Sequence, residues 1–395
     1  MSILEPHKLL NRSKTITEFD FNNNVQDIKK NINDKSILVI GAAGSIGSAV
    51  VRKIIKYNPR KLFLVDNNEN GLVDLVRFLR SSERNINQTE LKILPSSVDS
   101  EIFKLFLNNN KPFDSIFNFA ARKHVRTEED VYSSLLLFKI NLIDTYKLLS
   151  FIKDQSISNR YFAVSTDKAA DPFNLMGASK RLMESSIFLS EIDSYSTRFA
   201  NVAFSKGSLL ASFPQRIASN QPIPVPNKIK RFLITESEAA EICLLSAFST
   251  PKDSILIPKT GLLEEIELKV VLENYLDTLD LKPEYFNSKE MAIKFFDEKN
   301  INDNKYPVVL TEPITTGEKI SEKFLASDEV SKPHLENFDI ILSKERNEPN
   351  ISQFIDDFEN IINENLTKQQ IVDLTLKYLP TMSHEETNKS LNSQI

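Results

Sequence analysis

The sequence predicts an α/β fold built on a parallel sheet. Short apolar segments alternate with amphipathic helical segments through the first half of the 395-residue chain, as expected when a helix joins each pair of parallel strands. Glycine usage supports this prediction. The chain has only 8 glycines, and Gly41, Gly44 and Gly47 fall close together between an apolar segment and a helix. That placement indicates a tight turn that only glycine fits.

The apolar pattern assigns the elements in order. The first strand, 37–40, is entirely apolar and precedes a helix whose buried face carries Val50, Val51, Ile54 and Ile55. Further strands are predicted at 62–65, 91–95, 115–120 and 160–165, and helices at 45–57, 71–81, 101–109, 130–153 and 174–190. This alternation is typical of a Rossmann-type, doubly wound parallel sheet.

The pattern loosens beyond about residue 200, where prolines become frequent. We therefore expect a smaller C-terminal α/β substrate-binding region after the Rossmann domain. A helix at 236–248 is expected to pack back on that domain. The predicted division is a partly helical N-terminal arm at 1–34, the Rossmann domain at 35–204, the substrate-binding region at 205–334 and a helical extension at 335–395 with a disordered end.

Composition excludes several classes of partner. The net charge of −5 and the pI near 5.7 give no electrostatic reason to bind nucleic acid or an anionic membrane. Cys243 is the single cysteine, so no disulfide forms within the chain. No apolar run approaches the ~18 residues of a membrane helix, and the four histidines are scattered. We expect a cytoplasmic protein without membrane insertion and without a metal site.

The glycine-rich turn has the spacing Gly-x-x-Gly-x-x-Gly and includes Ser45 and Ile46. Such a loop brings backbone amides and a helix N-terminus to a pyrophosphate. Asp66 ends the next strand about 20 residues further on, where a carboxylate binds the adenosine ribose hydroxyls. No arginine stands beside it, which favours NAD over NADP. A purely structural strand–turn–helix is the alternative.

A second polar segment, 165–180, follows the apolar strand at 160–165 and leads into a helix. Thr166, Asp167 and Lys168 are therefore predicted at the carboxyl end of a strand, where open α/β sheets bind ligands. Lys180 lies one helical turn after Met176. Short-chain dehydrogenases carry a Tyr-x-x-x-Lys pair at this position, and here methionine replaces the tyrosine.

Together these segments resemble the CapD-type polysaccharide-biosynthesis nucleotide-sugar 4,6-dehydratases, extended members of the short-chain dehydrogenase/reductase superfamily. The resemblance runs from about residue 7 to about 330. It rests on the loop at 41–47, Asn141, Glu184 and the segments 117–125, 165–180, 198–202, 205–208, 231–239 and 317–319. It implies a homo-oligomer that uses bound NAD and a nucleotide-sugar substrate.

The resemblance implies that C4 of the hexose is oxidised, that water is eliminated across C5–C6, and that the hydride returns to C6. It assigns the acid to Asp167, the base to Lys168 and the nicotinamide ribose to Lys180. Deprotonating Lys168 at pH 7 costs about 4.6 kcal/mol if its pKa is that of free lysine. The cationic Lys180 and the oxidised nicotinamide lower this cost, whereas Asp167 raises it. The alternative is that Asp167 caps the turn and Lys168 is solvated. With Met176 unable to take the C4 hydroxyl proton, Thr166, Lys168 or water must relay it, and Thr166 is favoured.

The remaining candidates also follow from the resemblance. It places Ala120 and Ala121 at the cofactor, and its substrate-binding positions are Lys123, His124, Asn201, Ser208, Arg231 and Glu318. For His124 a purely structural role is an equal alternative. For Arg231 the alternative is that it belongs to a solvated basic segment at 228–231 and binds no ligand. Ser97 replaces the usual aspartate that reads adenine, so the sequence departs from the family near the nucleotide.

UDP-N-acetylglucosamine is the substrate favoured by the resemblance. Two other functions remain open. A nucleotide-sugar 4-epimerase needs only the C4 hydride step, but it ordinarily keeps tyrosine where Met176 stands. A non-catalytic NAD-binding scaffold or sensor is consistent with Met176 and Ser97, although it gives no reason for Asp167 and Lys168 to occur together.

Overall fold

A computed structural model describes residues 6–82, 86, 88–123, 130–297, 304–311 and 322–384. The strands within these ranges are β1 (Ser36–Ile40), β2 (Lys61–Asp66), β3 (Glu90–Pro95), β4 (Ser115–Asn118), β5 (Arg160–Val164), β6 (Asp193–Thr197), β7 (Asn201–Val202), β8 (Ile223–Pro226), β9 (Lys230–Arg231), β10 (Leu233–Ile234), β11 (Ser254–Pro258), β12 (Ile266–Glu267), β13 (Lys282–Phe286), β14 (Lys305–Thr311), β15 (Lys332–Pro333) and β16 (Phe338–Leu342).

The α-helices in the same ranges are α1 (Glu18–Ile32), α2 (Ser45–Ile54), α3 (Glu69–Ser82), α4 (Glu101–Asn110), α5 (Val131–Phe138), α6 (Asp144–Asp154), α7 (Leu175–Phe188), α8 (Ser212–Ala218), α9 (Glu236–Ser249), α10 (Leu268–Asp277), α11 (Lys289–Asp297), α12 (Ile351–Ile361) and α13 (Lys368–Tyr378). Short 3₁₀ turns are formed at Lys8–Leu10, Ile55–Tyr57, Asp167–Ala169 and Ser343–Glu345, and a π-helical turn at Lys139–Ile143.

The described residues form a nine-stranded central sheet in the order β15-β16-β11-β6-β5-β4-β1-β2-β3. The strands from β11 to β3 run parallel, and β16 pairs antiparallel with β11. The strand order reverses between β1 and β4, which is the switch point where doubly wound sheets bind ligands. The predicted Rossmann-type α/β fold is confirmed.

Two apolar layers cover this sheet. One packs residues of α2, α3 and α9 against one face, and the other packs residues of α4, α6 and α7 against the opposite face. The helix predicted at 236–248 is α9, which lies on α1 and α2. A separate apolar cluster joins α12 and α13 to α5 and α7. A small parallel sheet, β13-β14-β8, forms beyond the main sheet.

The main sheet uses more of the chain than 35–204. Strands β11 and β16 come from the segments assigned to the substrate-binding region and to the C-terminal extension. The domain boundaries themselves stay a prediction. The predicted disordered end falls largely at 385–395, outside the described residues.

Two predicted elements differ from the structure. The helix predicted as continuous over 130–153 is divided into α5 and α6 by the π-helical turn, because Asn141 there bonds to a neighbouring loop. The strand predicted to reach residue 120 ends at Asn118. The side-chain carbonyl of Asn118 accepts a hydrogen bond from the Ala120 amide at 3.0 Å, which turns the chain out of the sheet.

Candidate active site at the carboxyl edge of the sheet

The glycine-rich loop adopts a conformation that only glycine permits at two positions. Gly41 has φ +74°, and a Cβ there would lie 2.7 Å from the backbone nitrogen of Ala120. A Cβ on Gly47 would lie 2.2 Å from the carbonyl oxygen of Gly41. The loop is therefore folded tightly at the N-terminus of α2 and lies directly against Ala120, a geometry that could hold a pyrophosphate.

Asp66 stands at the end of β2 beside this loop. Its carboxylate accepts hydrogen bonds from the backbone amides of Ala43 and Asn68, both at 2.9 Å. These bonds fix the carboxylate next to the glycine-rich turn. The position agrees with a carboxylate that accepts from the ribose hydroxyls of a dinucleotide.

Lys180 is buried in α7, with 5% of its surface exposed. Its Nζ lies 3.1 Å from the sulfur of Met183, a weak acceptor, and no carboxylate among the described residues lies within ion-pair distance of it. Desolvation lowers the pKa of Lys180 to about 8. An ammonium buried with so weak a partner fits a site where the hydroxyls of a bound ribose complete its hydrogen bonds.

Thr166, Asp167 and Lys168 meet in the 3₁₀ turn that follows β5. The Thr166 hydroxyl donates to Asp167 Oδ1 at 2.8 Å, and Lys168 Nζ donates to the same oxygen at 3.1 Å. Asp167 is 1% exposed, and its Oδ2 has no hydrogen-bond partner among the described residues. The pair thus joins a buried carboxylate to a half-buried ammonium and has one carboxylate oxygen left for a ligand.

Lys168 also contacts two residues from distant parts of the chain. Its Nζ lies 3.3 Å from Asn201 Oδ1 in β7 and 3.3 Å from Glu322 Oε1. Burial disfavours the ammonium, but Asp167 and Glu322 together outweigh it and raise the pKa of Lys168. The solvated alternative for Lys168 does not describe this side chain, and the resting site holds it protonated.

Helix α7 packs directly on this turn. The Asn174 side chain caps the helix by accepting from the Gly177 amide at 2.8 Å. A Cβ on Gly177 would lie 2.2 Å from the Lys168 carbonyl oxygen. Met176, at the usual tyrosine position, is 4% exposed. Glycine at 177 therefore allows the helix that carries Lys180 to lie against the Asp167–Lys168 turn.

Asn141 lies in the π-helical turn and connects two parts of the site. Its side chain accepts from the Arg122 amide at 2.8 Å, and donates to the Arg122 carbonyl at 3.0 Å and to the Ser179 hydroxyl at 2.9 Å. It thereby fixes the loop after β4 to α7. Asn141 belongs to the family pattern but had no predicted role. Its place in a π-turn is a further sign of function, because π-turns inside helices frequently mark functional sites.

Two lysines lie at the entrance of the glycine-rich loop. Lys123 Nζ donates to the Lys206 carbonyl at 3.0 Å, and Lys206 Nζ donates to the Ala43 carbonyl at 2.8 Å. Desolvation lowers the pKa of Lys123. Lys206 was not among the predicted site residues. Both cations lie where an anionic diphosphate would approach the loop.

The other predicted residues are placed as follows. Arg231 is buried and donates to the Lys230 carbonyl at 2.8 Å, whereas Lys228 and Lys230 are exposed, so the surface-run alternative holds only for the lysines. Ser208 accepts from the Ala211 amide at 3.2 Å in a turn. Ala121 is exposed in the loop after β4. His124 and Glu318 lie outside the described residues.

The described ranges contain neither a metal-binding cluster nor a membrane-spanning helix. No group of three or more histidine, cysteine, aspartate or glutamate side chains there is arranged to hold a metal ion. No helix in the same ranges is long and apolar enough to cross a membrane.

Comparison with known proteins decides the family. The pattern of a polysaccharide biosynthesis protein family matches residues 37–342, which is most of the chain. The chain belongs to this family. The resemblance to CapD-type polysaccharide-biosynthesis proteins is thereby confirmed.

Three relatives of this chain differ in what is known of their function. An uncharacterized membrane protein of Methanocaldococcus jannaschii is 27% identical over 76% of this chain and 88% of its own length. The capsular polysaccharide biosynthesis protein CapD of Staphylococcus aureus is 31% identical over 55% of this chain, which spans 36% of CapD. An inverting UDP-N-acetylglucosamine 4,6-dehydratase of Campylobacter jejuni is 26% identical, over 58% of this chain and 67% of that enzyme.

Solved structures share the fold. Pen from Bacillus thuringiensis has a TM-score of 0.61 at 20% identity, covering 84% of this chain and 99% of Pen. The UDP-Glc/GlcNAc 4-epimerase of Campylobacter jejuni has a TM-score of 0.53 at 19% identity, covering 74% of this chain and 91% of the epimerase. The dTDP-glucose 4,6-dehydratase of Bacillus anthracis, solved with NAD, has a TM-score of 0.51 at 14% identity, covering 87% of this chain and 96% of the dehydratase. These likenesses show the fold, and the family's relatives include both dehydratases and epimerases.

Proposed function

We propose that the protein is an NAD-dependent 4,6-dehydratase of a nucleotide-linked N-acetylhexosamine, with UDP-N-acetylglucosamine as its substrate. The Asp167–Lys168 pair at the carboxyl end of β5 carries this proposal. Elimination of water needs an acid for the 6-hydroxyl and a base for the C5 proton, whereas epimerisation at C4 needs only a group that takes and returns the C4 hydroxyl proton. The substrate of the Campylobacter jejuni relative, UDP-N-acetylglucosamine, supports the choice of sugar.

The residues present fit a nicotinamide dinucleotide. The tight loop at Gly41 and Gly47 would receive the pyrophosphate, Asp66 the adenosine ribose and the buried Lys180 the nicotinamide ribose. NAD, when bound, would supply the hydride acceptor for C4 and the hydride donor for C6. Nucleotide released by denaturing the purified protein is therefore expected to be NAD; NADP alone would contradict the role of Asp66.

Thr166 replaces the missing tyrosine as the proton relay in this proposal. Its hydroxyl already donates to Asp167 Oδ1 at 2.8 Å, so a proton taken from the C4 hydroxyl can pass through Thr166 to Asp167. A thioether at Met176 can neither take nor pass that proton. The relay leaves Asp167 as a neutral carboxylic acid, which is the form an acid catalyst needs.

Asp167 then protonates the departing 6-hydroxyl, and Lys168 removes the C5 proton. This assignment requires Lys168 to be neutral at that moment, although Asp167 and Glu322 hold it protonated at rest. Protonation of Asp167 during C4 oxidation removes one of the two negative charges that stabilise the ammonium. The first step of the reaction therefore prepares both groups for the second.

The proposal is tested by incubating the protein with a panel of nucleotide sugars and measuring product mass. Loss of one water supports a dehydratase, whereas conserved mass with a changed sugar indicates an epimerase and an unchanged sugar a binder. Asp167→Asn and Lys168→Met are each expected to lower the dehydration rate by roughly 10²–10⁴, with nucleotide-sugar binding retained. Near-normal turnover in either variant would remove that residue from the mechanism.

A further inference from the structure

Glu322 enters the site from a part of the chain remote from the Thr166–Asp167–Lys168 turn. Its Oε1 lies 3.3 Å from Lys168 Nζ, and the residue is 7% exposed. Lys168 therefore lies between two carboxylates, Asp167 at 3.1 Å and Glu322 at 3.3 Å. The dehydratase proposal gives Asp167 a task and leaves Glu322 without one.

The segment 322–329, here called the strap, is fixed in place by buried charges. Arg198 is fully buried and donates to Glu329 at 2.6 and 2.9 Å and to the Phe324 carbonyl at 3.0 Å. The same guanidinium donates to Glu184 at 2.7 and 2.6 Å. Because both ends of this network are buried, the strap holds Glu322 at a defined distance from Lys168.

The strap is also tied to the loop that follows the catalytic turn. The backbone amide and hydroxyl of Ser327 donate to Asp171 Oδ1 at 2.9 and 2.8 Å. Arg181 of α7 contacts Asp328 at 3.2 Å and also pairs with Glu329. The strap thus contacts the same elements that carry Asp167 and Lys180.

Within the described part of the chain, the charged and polar groups around Lys168 come from three elements. Its own turn supplies Asp167, the strap supplies Glu322 and β7 supplies the neutral Asn201. The charged residues of α7, which packs on the turn, are Lys180, Arg181 and Glu184, and the last two are paired within the buried network.

The proposed mechanism must remove the proton of the Lys168 ammonium before Lys168 can act as a base. At rest Lys168 is protonated and contacts the side chains of both Asp167 and Glu322. When the C4 hydroxyl proton reaches Asp167, Lys168 still carries the proton that prevents it from acting as base. A nearby acceptor must take that proton, and among the described residues Glu322 Oε1 is the carboxylate oxygen in contact with Nζ besides Asp167.

Resting on the proposed dehydratase function, we propose that Glu322 is a positioning residue that takes the surplus proton of Lys168 and returns it after turnover. The steps balance. Glu322 receives a proton from Lys168, Lys168 receives the C5 proton, and Asp167 gives its proton to the leaving hydroxyl as water. After Lys168 reprotonates C5, Glu322 returns its proton to Lys168 and the resting charges are restored.

The test compares Glu322→Gln, Glu322→Asp and the native protein. Glutamine keeps the shape of the side chain but accepts no proton, so Lys168 must then lose its proton to solvent. At pH 7 the kcat of Glu322→Gln is expected to be at least about tenfold lower than the native kcat, and the ratio of the two values is followed across pH. This ratio should rise about tenfold per pH unit until Lys168 is neutral, because the neutral fraction of its amine grows tenfold per unit while the pH lies below its pKa. Glu322→Asp should restore a ratio that does not change with pH.

A second readout does not depend on turnover. Trace acetylation of Lys168 with acetic anhydride, followed by peptide mass spectrometry across pH, reports the fraction of neutral amine. Removal of the Glu322 charge should move the midpoint of labelling at least about one pH unit lower. The control is Glu359→Gln, an exposed carboxylate paired with Lys147 at 3.1 Å, which should leave the midpoint and the kcat ratio unchanged.

The outcomes separate the two proposals. An unchanged labelling midpoint in Glu322→Gln overturns the role of Glu322, as does a kcat ratio lowered equally at every pH. A shifted midpoint together with a pH-dependent ratio supports it. If the native protein removes water from no nucleotide sugar, the dehydratase proposal fails and the proton transfer falls with it, while the midpoint still decides whether Glu322 controls the charge of Lys168.

Discussion

Gly177→Ala tests whether the fit between α7 and the Asp167–Lys168 turn sets the geometry of the site. A Cβ at 177 would lie 2.2 Å from the Lys168 carbonyl oxygen, whereas Cβ contacts below 3.0 Å essentially do not occur. The turn and helix must therefore separate by about 0.8 Å. The neighbour is backbone and cannot rotate away, so the displacement moves Lys168 relative to Lys180.

The expected magnitudes follow from that displacement. Overpacking costs about 1–3 kcal/mol, and the gain from replacing glycine in a helix returns up to about 1 kcal/mol, so the free energy of unfolding falls by roughly 0–2 kcal/mol. A misplacement near 1 Å in a catalytic group lowers turnover about 10²-fold. Thermal unfolding and kcat with the nucleotide sugar are measured on the same preparation.

Gly261→Ala is the matched control. Gly261 has φ +83° and no atom within 4 Å of an added Cβ, so alanine there costs about 1–2 kcal/mol of backbone strain without touching the site. It should lose stability and keep kcat. Native turnover in Gly177→Ala, or an equal loss of kcat in Gly261→Ala, would refute the reasoning.

Three further variants have separate expected outcomes. Arg198→Met should lower the free energy of unfolding by about 3–5 kcal/mol, because Glu184 and Glu329 lose the four buried hydrogen bonds that Arg198 donates to them, whereas Lys252→Met in an exposed pair should have no measurable effect. Lys180→Met should raise the free energy of unfolding of the cofactor-free protein by up to about 3 kcal/mol at pH 7, because burial lowers the pKa from 10.5 to about 8. That cost of charging Lys180 is complete below pH 8 and fades as pH rises to 10.5, so the gain should vanish in thermal melts above pH 10.5. Thr166→Val should slow C4 oxidation roughly 10²-fold and increase the kinetic isotope effect with substrate deuterated at C4; an unchanged isotope effect with full turnover would exclude the Thr166 relay.

The parts of the fold set by local sequence were predictable. Strand β1, the turn at Gly41 and the start of α2 lie within one continuous segment, and their apolar and glycine patterns act over a few residues. The same holds for Thr166, Asp167 and Lys168, which are adjacent in the chain and end one buried strand. Their contacts with each other followed from position alone.

The parts set by distant contacts were not predictable in this way. The π-helical turn inside 130–153 depends on Asn141 meeting Arg122 and Ser179, and no periodic pattern encodes such a meeting. Glu322 is remote in sequence from Lys168, so only the folded strap brings them together. Strand β16 likewise joins the main sheet through antiparallel pairing with β11, which is a non-local contact.

The proposed reaction is tested most directly by following one hydrogen atom. A UDP-N-acetylglucosamine labelled with deuterium at C4 is incubated with the protein, and the product is analysed by mass spectrometry and NMR. The proposal predicts loss of one water, a ketone at C4 and deuterium on C6. Deuterium retained at C4 with no loss of water would contradict a 4,6-dehydratase and identify epimerisation or simple binding instead.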